Sequence, residues 1–98
     1  MTAEDLATSV DRLLNHVRHW GQARWRRSPA DLVYGLVQRL ADLGADAEHR
    51  PRRTVPRVGD VVLPDQLRVV ADDLLAAAPP DSVISQATDD VNAVRHAL

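Results

Sequence analysis

Residues 28–44 read SPADLVYGLVQRLADLG. Ser28 offers a capping hydroxyl, Pro29 has its φ preset for the first helical position, and Asp31 puts a carboxylate at the third, toward the positive end of the helix dipole. Leu32, Val33, Leu36, Val37, Leu40 and Leu43 then recur at intervals of three and four, the period of one helical face, and Gly44 can take the left-handed conformation that commonly ends a helix. The spacing predicts a helix over 29–43. Its apolar arc, from Leu32 round to Val37, covers about 140°, more than one neighbour requires. A helix with so wide an apolar face belongs in an all-α packing.

The flanks repeat the pattern. Upstream, Leu6, Val10, Leu13, Leu14, Val17 and Trp20 form one stripe, which predicts a first helix over 3–25 with Gly21 on the same stripe, where a neighbouring backbone could approach. Thr2, followed by Glu4 and Asp5, supplies its cap and its acidic first turn. Downstream, Pro64, Asp65 and Gln66 open a helix over 64–78 that carries Leu67, Val70, Ala71, Leu74, Leu75 and Ala78, and Pro79–Pro80 stop it. Ile84, Ala87, Val91, Val94 and Leu98 make a narrow seam on a last helix over 82–97, with the C-terminal Leu98 docked.

Between the second and third helices, the connection 45–63 has no sustained period from Ala45 to Asp60, and it holds Pro51, Pro56, Gly59 and four arginines. An alternative pairs 54–58 with 61–63 as a short hairpin around Gly59–Asp60, which Pro56 opposes. Short links join the first helix to the second and the third to the fourth. The expected architecture is therefore a small all-α, four-helix bundle-like domain over 1–98, two antiparallel helical hairpins joined by the Arg/Pro connection.

Composition fits that reading and narrows function. The 98 residues are 45% apolar and 27% charged, a balance that favours a folded core. So small a chain buries a limited share of its surface, and a second subunit would add stability. Cysteine is absent, which removes disulfides, thiol catalysis and thiolate metal sites. Glu4 and Asp5 stand where a secretory signal needs positive charge, and the longest apolar run, 74–78, is far short of the roughly 20 residues that span a bilayer. A cytoplasmic protein without a membrane segment is expected. The net charge of −2 hides a split: residues 1–57 carry +3 and residues 58–98 carry −5. All twelve basic residues other than histidine are arginine.

No pattern specifies catalysis. His16 and His19 have a spacing compatible with a metal, but a site needs further ligands. Asp72–Asp73 and Asp89–Asp90 are sequence neighbours that diverge by about 100° on a helix and cannot share a proton or an ion. The four glycines are far apart, and no serine sits in a nucleophile elbow. No cofactor, metal or enzymatic activity is expected.

Two surfaces remain. Aromatics and the broad arc of the second helix point to Trp25, Tyr34, Val33 and Val37 as a partner interface, for a homo-oligomer or a protein partner. Alternatively, Arg24, Arg26 and Arg27 at the end of the first helix and Arg50, Arg52, Arg53 and Arg57 in the connection could bind nucleic acid or another polyanion. The net acidity of the domain weighs against that alternative, and pairing of these arginines with the Asp-rich second half competes with it. Gln38 and Arg39 are the polar groups of the second helix suited to reading a base.

Overall fold

The computed structural model describes residues 1–26 and 28–98, and among them every regular element is helical. Five α-helices follow one another: α1 (Ala3–Val17), α2 (Gln22–Trp25), α3 (Ser28–Ala47), α4 (Leu63–Ala76) and α5 (Asp81–Ala97), with a 3-10 turn at Asp60–Val62 leading into α4. The alternative hairpin of 54–58 with 61–63, which Pro56 opposes, does not form; the 3-10 turn stands in its place. The fold class is all-α.

α1 starts as its residues dictate. Asp5 N–H donates to the Thr2 hydroxyl at 3.2 Å, and Thr2 N–H donates to the Asp5 carboxylate at 2.8 Å, a reciprocal cap that satisfies two otherwise orphaned donors. The helix does not reach residue 25. It stops at Val17, and the chain turns through 18–21 before α2 begins. Gly21, expected on the buried stripe, is exposed at this break, with open space around it. The break carries Trp25 inward, where it is 1% exposed, and sets its ring 5.0 Å from Trp20 in an edge-to-face pair. A continuous helix would hold these rings about 140° apart.

α3 runs past Gly44, which is helical, buried and packed where the backbone of α4 comes close. A Cβ at Gly44 would lie 3.8 Å from the Leu74 Cα. The left-handed residue that ends α3 is His49, with φ 56°. Arg50 N–H donates to Ala45 C=O at 2.8 Å and His49 N–H to Asp46 C=O at 3.1 Å, the two bonds of a Schellman cap. Ala78 plays the same part after α4 with φ 48°, one residue before the prolines.

The most extensive contacts are between α3 and α4 and between α1 and α5, with lesser contacts of α3 on α5 and α1 on α4. These pairs differ from the expected hairpins, which would have joined neighbours across the short links. The long connection instead joins two helices that pack on each other. One core results: Leu6, Val10, Leu13 and Val17 of α1 meet Val33, Leu36, Val37 and Leu40 of α3, Leu67 and Leu74 of α4, and Ile84 and Val91 of α5. Leu98 packs on it, as the seam predicts. The radius of gyration, 12.7 Å, matches the about 12.6 Å of a compact chain this long.

Candidate functional site

The connection is fastened to the helices it joins. Tyr34 on α3 donates its hydroxyl to Val55 C=O at 2.6 Å. Gln38, one turn on, accepts from Val55 N–H at 2.8 Å and donates to Arg53 C=O at 3.0 Å. Gln66 on α4 donates to Pro56 C=O at 2.9 Å. Val55 packs against the core. Gln38, read from sequence as a base reader, is therefore used up in holding the chain's own backbone, and Arg39 lies 3.7 Å from the Asp90 carboxylate.

The partner-interface candidates do not form an exposed surface. Trp25, Val33 and Val37 are buried in the core, and Tyr34 is half-buried beneath the connection, with the Arg57 guanidinium 5.1 Å over its ring. α2, α4, α5 and the connection cover the wide arc of α3 except at its edge, where Leu32 is 36% exposed, so most of the observation that suggested an interface there is explained within one chain. The exposed apolar surface lies elsewhere. Val58 is 72% exposed, Val61 49% and Val69 58%. Val58 and Val69 line a shallow groove between the connection and α4, shared with Val55, Val62 and Val70 and edged by Asp65 and Gln66. The sequence signal for it was weak: Val69 falls off the apolar stripe of its helix, and Val58 and Val61 sit in an aperiodic segment.

The arginine candidates divide in two. In the connection, Arg52 makes a two-pronged contact with Asp46, at 3.0 and 2.6 Å. Arg50 meets Glu48 at 3.1 Å, and Arg57 meets Asp31 at 2.8 Å and Asp60 at 3.6 Å. Its hydrogen bonds to Arg52 hold Asp46 below the ordinary carboxylate range and raise Arg52; the bond to Asp31 likewise raises Arg57. These partners are mostly local, so the expected pairing with the Asp-rich second half is met here only by Asp60. Arg53 lines the mouth of a cleft of about 400 Å³ between α3, α4 and the connection.

At the end of α1 the situation is reversed. Arg24 and Arg26 are exposed with no carboxylate within 4 Å among the described residues, as are Arg12 and Arg18. Arg27 lies outside the described residues. The Arg24 guanidinium rests 4.7 Å over the Trp20 ring, and His16 meets the edge of that ring at 6.0 Å. Arg18 Nε donates to His19 Nε2 at 3.1 Å. His16 and His19 thus engage different neighbours, and among the described residues no group of three His, Cys, Asp or Glu is placed to hold a metal. Asp72, Asp73 and Asp89 are exposed, while Asp90 is half-buried beside Arg39. Among the described residues no helix is long and apolar enough to cross a membrane. No family model, curated protein or solved structure matches this chain.

Proposed function

We propose that this chain is a non-enzymatic cytoplasmic interaction protein that self-associates as a homodimer or docks a protein partner through apolar surface, and that the surface is the valine groove of α4 and the preceding segment. The observation that supports this reading is the exposure of Val58 and Val69, at 72% and 58%, on one groove of a chain whose other aliphatic side chains are largely buried. Contiguous exposed apolar side chains with a polar edge are what recognition surfaces present. Asp65 and Gln66 supply that edge.

Size-exclusion chromatography with light scattering tests the homodimer. A concentration-dependent doubling of mass that Val58→Asp and Val69→Asp abolish is expected, with unchanged helicity because both side chains point to solvent. A monomer at every micromolar concentration removes self-association. Loss of dimer in Val33→Ala but not in the groove variants removes the groove.

A further inference from the structure

The twelve arginines are not used alike. Those of the connection mostly have carboxylates, whereas Arg18, Arg24 and Arg26 of the α1–α2 corner have none within 4 Å among the described residues. The sequence explains the difference: residues 12–30 contain five arginines and two histidines and not one acid. The nearest upstream carboxylate, Asp11, faces the other way and pairs with Arg68 at 2.6 Å.

Nor do the contacts inside the corner consume its donors. Arg18 spends its Nε on His19, and its two terminal amino groups have no hydrogen-bond partner among the described residues. Arg24 is held by its position over the Trp20 ring, and a cation–π contact leaves the edge N–H groups of the guanidinium free to donate. Arg18 and Arg24 thus keep guanidinium donors free, with no carboxylate within 4 Å among the described residues, while Arg26 shares a small pocket with Asp60. Like charges gathered without counter-charge repel one another, so a cluster of this kind is completed by an anion with several negative groups.

We infer that the α1–α2 corner, centred on Arg18 and Arg24 with Arg26 beside them, binds the phosphate backbone of single-stranded nucleic acid. The surroundings choose among polyanions. An anionic membrane is engaged by basic groups beside exposed apolar side chains that can enter the acyl boundary; the exposed apolar side chain beside this corner, Val61, shares a small pocket with Arg26, Gln22 and the carboxylate of Asp60, which an anionic surface would repel, and the apolar side of α1 is turned into the core. A protein interface needs an apolar centre, and a single valine at the edge of the corner, beside Arg26, does not make one. A duplex lying along α1 would meet Glu4, Asp5 and Asp11, all exposed on its N-terminal half, so the footprint is confined to the few phosphates of a flexible strand. Trp20, half-buried beneath Arg24, fixes that guanidinium in place at the edge of the footprint. The net acidity of the chain is compatible with a local site, because at physiological salt charges more than about 8 Å away are largely screened.

Anisotropy of fluorescein-labelled dT20, titrated with the full chain, tests the inference. Binding is expected at 50 mM NaCl, with a log–log salt slope near −2 for about three phosphate contacts to a single strand, or about 20-fold weakening between 50 and 200 mM. Arg18→Ala should weaken binding about fivefold and Arg52→Ala, in the connection, less than twofold. Arg18 touches only exposed His19, so its variant keeps the fold; circular dichroism melting accompanies Arg24→Glu, which also removes the contact with Trp20. Absence of an anisotropy change at 50 mM NaCl overturns the inference, as does equal weakening by the Arg52 variant. Sedimentation with phosphatidylglycerol vesicles without oligonucleotide binding would assign the corner to a membrane, and a salt-sensitive dimer without oligonucleotide binding would assign it to the acids of a second copy; either outcome overturns it. The groove variants Val58→Asp and Val69→Asp leave this binding unchanged, so the two sites stand or fall separately.

Discussion

His49 and Gly44 show how single positions divide the tasks of ending a helix and letting another approach. The sequence assigns the stop to Gly44, because a glycine after the last apolar residue is the common stop, and the close approach to Gly21. The chain instead keeps Gly44 helical against Leu74 and gives the left-handed turn to His49. A side chain at φ 56° is strained by roughly 1 kcal/mol relative to glycine, so His49→Gly should raise stability by about that amount in urea melting. Gly44→Ala is expected to stabilise as well, by up to about 1 kcal/mol, since a Cβ there meets only ordinary van der Waals distances and alanine is the better helix former. Gly44→Leu has no such room and should cost 1–3 kcal/mol, roughly the penalty for overpacking. If Gly44→Ala were destabilising by a similar amount, the α3–α4 contact would be tighter than described.

At the scale of elements, the periodic stretches were legible because a helix announces its inner face, and α3, α4 and α5 lie within a few residues of the positions read from Leu, Val and Ile spacing. The break in the first helix was not read, although a sign was present: Trp25, the largest side chain, falls off the stripe of Leu6 to Trp20. A large aromatic in that position is either exposed or brought inward by a bend, and burial favours the bend. Trp25→Ala accordingly should destabilise by about 3–5 kcal/mol, where a surface anchor would change stability by only a few tenths. The cap of α1 makes a second prediction, in pH. Hydrogen bonds from the Thr2 backbone N–H and hydroxyl hold Asp5 below its ordinary value. A carboxylate depressed in the folded state contributes stability above its unfolded value of about 3.9 and loses it as pH falls through the folded value. Thermal melts of the wild type should therefore fall more steeply below pH 4 than those of Asp5→Asn, and parallel curves would show that the cap does not persist in solution.

At the scale of the whole molecule, the pairing of helices was the part that local pattern could not supply. Stripes say that a face is buried and not which face covers it; short links favour neighbours, and the chain pairs α3 with α4 across its longest connection instead. The connection makes this workable because its backbone is bonded to both helices, through Tyr34 and Gln38 on one side and Gln66 on the other. A strap that contributes Val55 to the core and backbone groups to side chains behaves as part of the fold, and loosening it should expose it without melting the helices. Gln38→Ala removes the partners of Val55 N–H and Arg53 C=O, at an expected cost of about 1–3 kcal/mol. The diagnostic readout is where the chain opens: limited trypsin digestion should cut faster after Arg52, Arg53 and Arg57 in Gln38→Ala than in wild type, while cutting after Arg12 in α1 is unchanged. Uniform acceleration at both places would mean that the strap and the helices open together, as one cooperative unit, and that the connection has no independent latch.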